Sequence, residues 1–236
     1  MNPAVFILSF NGINHLNSWF NPDNFKDIDV FIVDNGQQLI PDNLKQYAIH
    51  TTEKNIFCAG GWNLSAKIAF NSLGYEKIVI TQDDLTFTKE HVINAIKNCD
   101  STTIVGGRGD MFFYSFFAIH KNTYELIGEF DENFLFVTCE DNDYYYRASL
   151  KGIIHRTLNQ DMPNLNLTSK EMSWKFGNHE YLISKWGPEQ RWGVYTYTVP
   201  FNGAPHTKFR PKYSTYFDIP VKEFMSDHEF KRYLTK

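Results

Sequence analysis

Residues 77–84 read KIVITQDD, an apolar and largely β-branched run that ends in an amide and two carboxylates. A run of this length reads as a strand buried on both faces, as in the middle of a parallel sheet. Acids at its carboxyl end then stand where open α/β sheets receive ligands. Upstream, residues 4–10 (AVFILSF) and 30–33 (VFIV) repeat the pattern, each bounded by Asn, Gly or Asp, and residues 48–51 form a shorter strand. Helical stretches are expected at 15–20, 61–73 and 89–97. This alternation predicts an open α/β sheet flanked by helices. Residues 103–106 and 111–120 read as further strands, and 124–128 as a short helix closed by Gly128. From about Leu158 the alternation gives way to Pro, Asn, Trp and Tyr, so residues 1–157 are expected to form the core and 158–236 an extension packed on it.

The chain has 236 residues, 42% of them hydrophobic, enough to bury a substantial core. Cys58, Cys99 and Cys139 are odd in number and widely spaced, which argues against a disulfide framework or a CxxC metal knuckle and for a reducing, cytoplasmic setting. No basic segment leads into a long apolar stretch, and residues 111–119 fall short of the roughly 20 residues of a spanning helix, so no membrane span is expected. The net charge of −4 divides unevenly: residues 1–150 carry 10 basic against 19 acidic side chains, and residues 151–236 carry 13 against 8. An acidic body with a basic, aromatic tail suits a metal site in one part and an anionic partner in the other.

Behind the first four strands come Asn11 and Gly12, Asp34 and Asn35, Asn55, then Gln82, Asp83 and Asp84. Each alone is ordinary turn chemistry. Four consecutive strands delivering Asn or Asp to one edge describe a polar ligand site. The stretch NIFCAGGWN (55–63) adds two adjacent glycines at a helix start, where backbone approaches a ligand closely and phosphate is favoured, although it is neither a Walker loop nor GxGxxG. Carboxylates after a strand can hold Mg2+ or Mn2+, or cap a helix. A third acidic group lies in CEDNDYYYRASLKG (139–152), where Glu140, Asp141 or Asp143 could cap a helix; an EF-hand loop is ruled out by its missing glycine and terminal glutamate.

Taken in order, these motifs resemble the family 2 inverting glycosyltransferases of GT-A fold, above all their rhamnosyltransferase-like and galactosyltransferase-like members. The resemblance covers roughly residues 4–187. It rests on ILSFNG, FIVDNG, NIFCAGGWN with Phe57 in place of the usual first glycine, QDD with Gln82 where the first motif acid normally sits, GEFDENFLFVTCEDNDYYYRASLKG, and a late NHEYLISKWG. It implies a Rossmann-like open mixed sheet and transfer from a UDP- or dTDP-sugar to a glycan or other small acceptor. In that family's terms Asp34 would meet the pyrimidine base. Ser9, Asn11, Asn55, Gly60, Gly61, Asn63 and Asp83 would line the donor, Asp84 would hold Mn2+ or Mg2+, and Asp141 would be the general base.

His155, on the probable strand in KGIIHRTL, is a further candidate metal ligand by the same resemblance, although a lone histidine is more often structural; His179 and His206 are weaker candidates. Trp62, Trp174, Trp186 and Trp192 suit packing more than stacking on sugar, and RGD at 108–110 suits a turn. Cations interleaved with aromatics over 174–216 fit a glycan or small acceptor first and nucleic acid second, as in phage-type DNA-base glycosylation. An inactive nucleotide-sugar-binding protein is the competing class, argued by Gln82 and Phe57 alone.

Overall fold

The computed structural model describes residues 1–163, apart from 54, 108, 110, 111 and 135–137, together with 178–186, 189–191 and 194–195. Seven strands form one sheet: β1 (Ala4–Ser9), β2 (Asp29–Asp34), β3 (Ala48–Thr51), β4 (Lys77–Gln82), β5 (Thr103–Gly106), β6 (Phe116–His120) and β7 (Ile154–Thr157), in the order β3-β2-β1-β4-β6-β5-β7. The first four are mutually parallel, and β6 runs antiparallel to both β4 and β5. This is the open mixed sheet flanked by helices that the sequence led us to expect.

Strand β1 is buried along its whole length, and its side chains divide by parity. Val5 and Ile7 join a core with Ile13, Leu16 and Val79, while Phe6 and Leu8 join one with Trp62, Ile78 and Ile80. Each such side chain contributes roughly 1.5–3 kcal/mol by leaving water. Helix α1 (Ile13–Trp19) follows β1, α2 (Asp42–Lys45) precedes β3, and α3 (Phe57–Lys67) lies against β1 and β4. That last contact explains Gly61: any Cβ there would collide with the Leu8 methyls. Helix α4 (Lys89–Asn98) packs on β4, β5 and β6.

Several boundaries differ from expectation for local reasons. Helix α3 starts at Phe57, four residues before Gly61, because the Asn35 and Asn55 carboxamide oxygens accept from the Ile56 and Phe57 amides. It continues as a π-helical turn over Ile68–Ser72. The strand expected over 111–120 is confined to β6, and α5 (Lys121–Ile127) begins early because His120 accepts from the Asn122 amide. Helix α6 (Glu140–Leu150) carries the third acidic group, and α7 (Asn178–Trp186) carries the KW pair. Short strands β8 (Glu189–Arg191) and β9 (Val194–Tyr195) pair with each other. Most of the basic, aromatic stretch 174–216 lies outside the described residues, as do Arg108, Asp110, Trp174, Trp192 and His206. Among the described residues no helix is long and apolar enough to cross a membrane.

Candidate active site

The chain leaves β1 toward β2 and β3 on one side, whereas β4 lies on the other, so the sheet reverses direction of growth between β1 and β4. Ligand crevices open at the carboxyl ends of strands flanking such a reversal. The register sets Ser9 beside Asp34 and Leu8 beside Gln82 at this edge. Because β6 runs backwards, its beginning rather than its end meets the same edge: Phe116 pairs with Thr81, and the Thr81 hydroxyl donates to the Ser115 carbonyl (2.9 Å).

Asp83 turns inward and braces the β1 exit. One of its oxygens, Oδ2, accepts from the Ser9 hydroxyl (2.7 Å) and from the Phe10 and Gly12 amides (2.9 Å each). Residue 12 must be glycine here, since a Cβ would strike that carboxylate. Asn11 follows the strand in the left-handed region (φ 64°) and is exposed, a backbone that asparagine tolerates better than most residues. Burial raises Asp83 to about 7 against the opposing pull of the Ser9 bond. The folded chain therefore binds this proton more tightly than the unfolded chain. Its contribution favours the fold at acid pH and is lost as pH rises from about 4 through about 7. Thermal melts in EDTA should show wild type losing stability relative to Asp83→Asn across that window; parallel pH profiles would refute this.

On the β2 side, Asp34 is buried and accepts from the Gln38 amide (3.0 Å) and side chain (2.9 Å). Gln38 also donates to the Ser9 carbonyl (2.9 Å) and hydroxyl (3.0 Å), tying β1 to β2. Gln38 escaped sequence reasoning, because a glutamine in a loop carries no local signal of what it bridges. Asn55 receives the Asn35 side chain (3.0 Å) and the Phe57 amide (2.8 Å), fixing the turn in which Phe57 holds φ 63°. That left-handed backbone occurs where the glycosyltransferase pattern carries glycine; the buried Phe57 ring offsets its cost.

Asn63 links α3 to the segment after α5. Its side chain donates to the Phe130 carbonyl (3.0 Å) and Glu132 (2.8 Å) and accepts from the Phe130 amide (2.8 Å) and the Tyr124 hydroxyl (3.1 Å). It thus clamps the FDENF segment onto α3. Gly60 is buried on α3 beside Gly61.

The charges of the QDD and EDND acids both act on Cys58. Burial pushes that thiol well above its ordinary value, reinforced by the charges of Glu140, Asp84, Asp141 and Asp83. Gln82 donates to its sulfur at 3.6 Å. Two motifs separated by more than fifty residues therefore share one electrostatic neighbourhood. Asp84 and Glu140 are buried, whereas Asp141 is only partly so. Burial, then the Asp141 charge, raises Glu140 far above the usual carboxylate range. Burial also raises Asp141, against the opposing bond from the Asn142 amide (2.8 Å).

Asp143 has a separate setting. It accepts from Arg147 Nε (2.9 Å) and Trp186 Nε1 (2.8 Å) and pairs with Lys185 Nζ. Burial opposes its charge, yet Arg147 and Lys185 hold its carboxyl below the ordinary value. Lys185 also donates to Asp131 of FDENF (2.9 Å).

His155 occupies an aromatic cluster. Its Nε2 lies 2.6 Å from the Tyr114 hydroxyl, Tyr145 stacks on its ring at 4.0 Å, and Phe112 meets its face edge-on. Burial lowers it to about 4, so the imidazole is neutral. Among the described residues no three His, Cys, Asp or Glu side chains assemble as a metal cage, so His155 is not joined with Asp84 in such a set. Trp62 and Trp186 are both buried and serve packing.

No family model matches the chain. No curated protein matches it in sequence. Among solved structures it is similar to the crystal structure of GalNAc-T7 with UDP, GalNAc and Mn2+, at 10% identity and a TM-score of 0.49, over 98% of this chain. The chain spans 57% of the length of that structure's chain.

Proposed function

We propose that the chain is a metal-dependent, inverting glycosyltransferase of GT-A type that moves a sugar from a UDP- or dTDP-sugar to an acceptor hydroxyl. The observation that carries this reading is the placement of Asp83 and Asp84 directly after β4, at the reversal point of an open sheet, where the charges of Glu140 and Asp141 act on the same Cys58 thiol. The Asp83 and Asp84 carboxylates offer oxygen ligands there, which fits Mn2+ or Mg2+. Asp84 would hold that ion, and diphosphate oxygens would complete its shell. The ion supplies stabilisation of charge on the departing diphosphate.

The chain's own residues supply the rest. Asp34 would orient the pyrimidine base, while Asn11 and the Gly60–Gly61 stretch would line the diphosphate. Ser9 and Asp83 shape that wall by holding the β1 exit. Asp141, less buried than its neighbour, would take the acceptor proton, whereas Glu140 is buried, its carboxyl pushed up by that burial and by the Asp141 charge.

Melting with UDP- and dTDP-sugars in Mn2+ tests the donor half. A ligand at 100 times its Kd adds about 2.7 kcal/mol, or roughly 5–10 °C for a chain of this size. Asp84→Asn should abolish the Mn2+-dependent part of that shift and of UDP or dTDP release. Stabilisation without release from any donor would favour the inactive binding protein, and no stabilisation by any nucleotide would overturn the proposal.

A further inference from the structure

Helix α7 grips the segment leading into Asp141 at three places. Near its start, the Asn178 side chain donates to the Thr138 carbonyl (3.1 Å). In its middle, Leu182 packs with Phe134, Cys139, Tyr146 and Trp186 in a buried cluster. At its end, Lys185 spans Asp131 and Asp143, and the Trp186 indole N–H bonds to Asp143. All of Lys185, Asp131 and Asp143 are buried.

What this grip holds is costly backbone. Thr138 and Cys139 both lie in the left-handed region, at φ 79° and 73°. Two consecutive non-glycine residues there, one of them β-branched, persist only where the surroundings dictate them. Their dihedrals fix the direction in which α6 departs and hence where Asp141, in its first turn, presents its carboxylate.

We propose that Asn178, Lys185 and Trp186 are positioning residues for Asp141, acting through Thr138, Asp131 and Asp143. This rests on Asp141 being the base. Trp186→Phe and Asn178→Ala each remove one hydrogen bond while sparing most of the packing, and Lys185→Arg keeps the charge.

In Mn2+-dependent UDP release from the best UDP-hexose, kcat should fall at least tenfold in Trp186→Phe and Asn178→Ala. The Kd for UDP with Mn2+ should stay within twofold and Tm within a few degrees, and Lys185→Arg should retain more kcat than Lys185→Gln. An unchanged kcat, or a kcat that falls only together with UDP affinity and folded fraction, overturns the proposal. Amide exchange over residues 138–143 gives a readout free of turnover. Faster exchange there in both variants, with β1 and β4 unchanged, supports the grip even if the wild type turns over no UDP- or dTDP-sugar, a result that would count against the enzyme reading and not against the grip. Unaltered exchange overturns the grip itself.

Discussion

Exchanging Asp141 for asparagine is expected to slow sugar transfer by roughly 10²–10⁴, the range lost with a positioned general base, while UDP binds as before with Mn2+. Asparagine keeps the size and the bond from the Asn142 amide at the helix start but cannot take a proton. The alternatives nearby are poor substitutes: Glu140 is buried, and Asp143 is committed to Arg147, Lys185 and Trp186. Burial raises the Asp141 carboxyl, so its basic form is lost as pH falls, earlier than for an exposed aspartate. The wild-type rate should therefore show an acid limb above the ordinary aspartate range, and the residual rate of the variant should lack it. Turnover near the wild-type level with intact UDP binding would remove Asp141 from the mechanism.

Lys185→Met should lower Tm by roughly 6–20 °C. Removing one partner of a buried ion pair costs about 3–5 kcal/mol because the remaining charge stays buried without compensation, and a domain of this size loses about 2–4 °C per kcal/mol. Here the loss touches two carboxylates: Asp131 and Asp143 both accept from Lys185, and methionine restores only the aliphatic part. The sign with pH follows from Asp143. Its folded value is depressed, so the stability it brings is present above the unfolded value and lost as pH falls through the folded one. The gap between wild type and variant, read by thermal melts at pH 7.5 and well below pH 4, should narrow on acidification. A change below 2 °C at neutral pH would mean that α7 contributes little to holding these acids.

Strands β1, β2 and β4 were legible because burial on both faces leaves unbroken apolar runs, and their parallel order follows from the helices between them. Strand β6 was legible as a strand but not in its direction, since its residues look alike read either way along the sheet. Its reversal is what brings Tyr114 and Ser115 to the acid-lined edge. Within the site, residue type announced polar chemistry but not the division of work. Of the adjacent pair Asp83 and Asp84, one is drawn under the β1 exit by three donors, and that choice depends on the backbone of Phe10 and Gly12, more than seventy residues away. Lys185 likewise meets partners 42 and 54 positions distant, and such separations leave no periodic trace. Asn55 and Asn63 were recognisable as part of a motif, yet the bonds they make are architectural.

The reversed course of β6 has a consequence for how this chain can vary. Residues 1–84 build one wall of the crevice and residues 112–150 the other, so the two walls are written in consecutive, non-overlapping stretches of the gene. They are joined by the β4–β6 ladder, by the Trp62–Phe117–Phe130 ring contacts, and by Asn63 reaching Phe130 and Glu132. Substitution in the loops of one stretch can reshape its wall while that ladder stands, whereas exchange of a whole stretch must preserve the β4–β6 pairing. Change on the two sides of the crevice can therefore accumulate independently in the loops, and only in concert across β4 and β6.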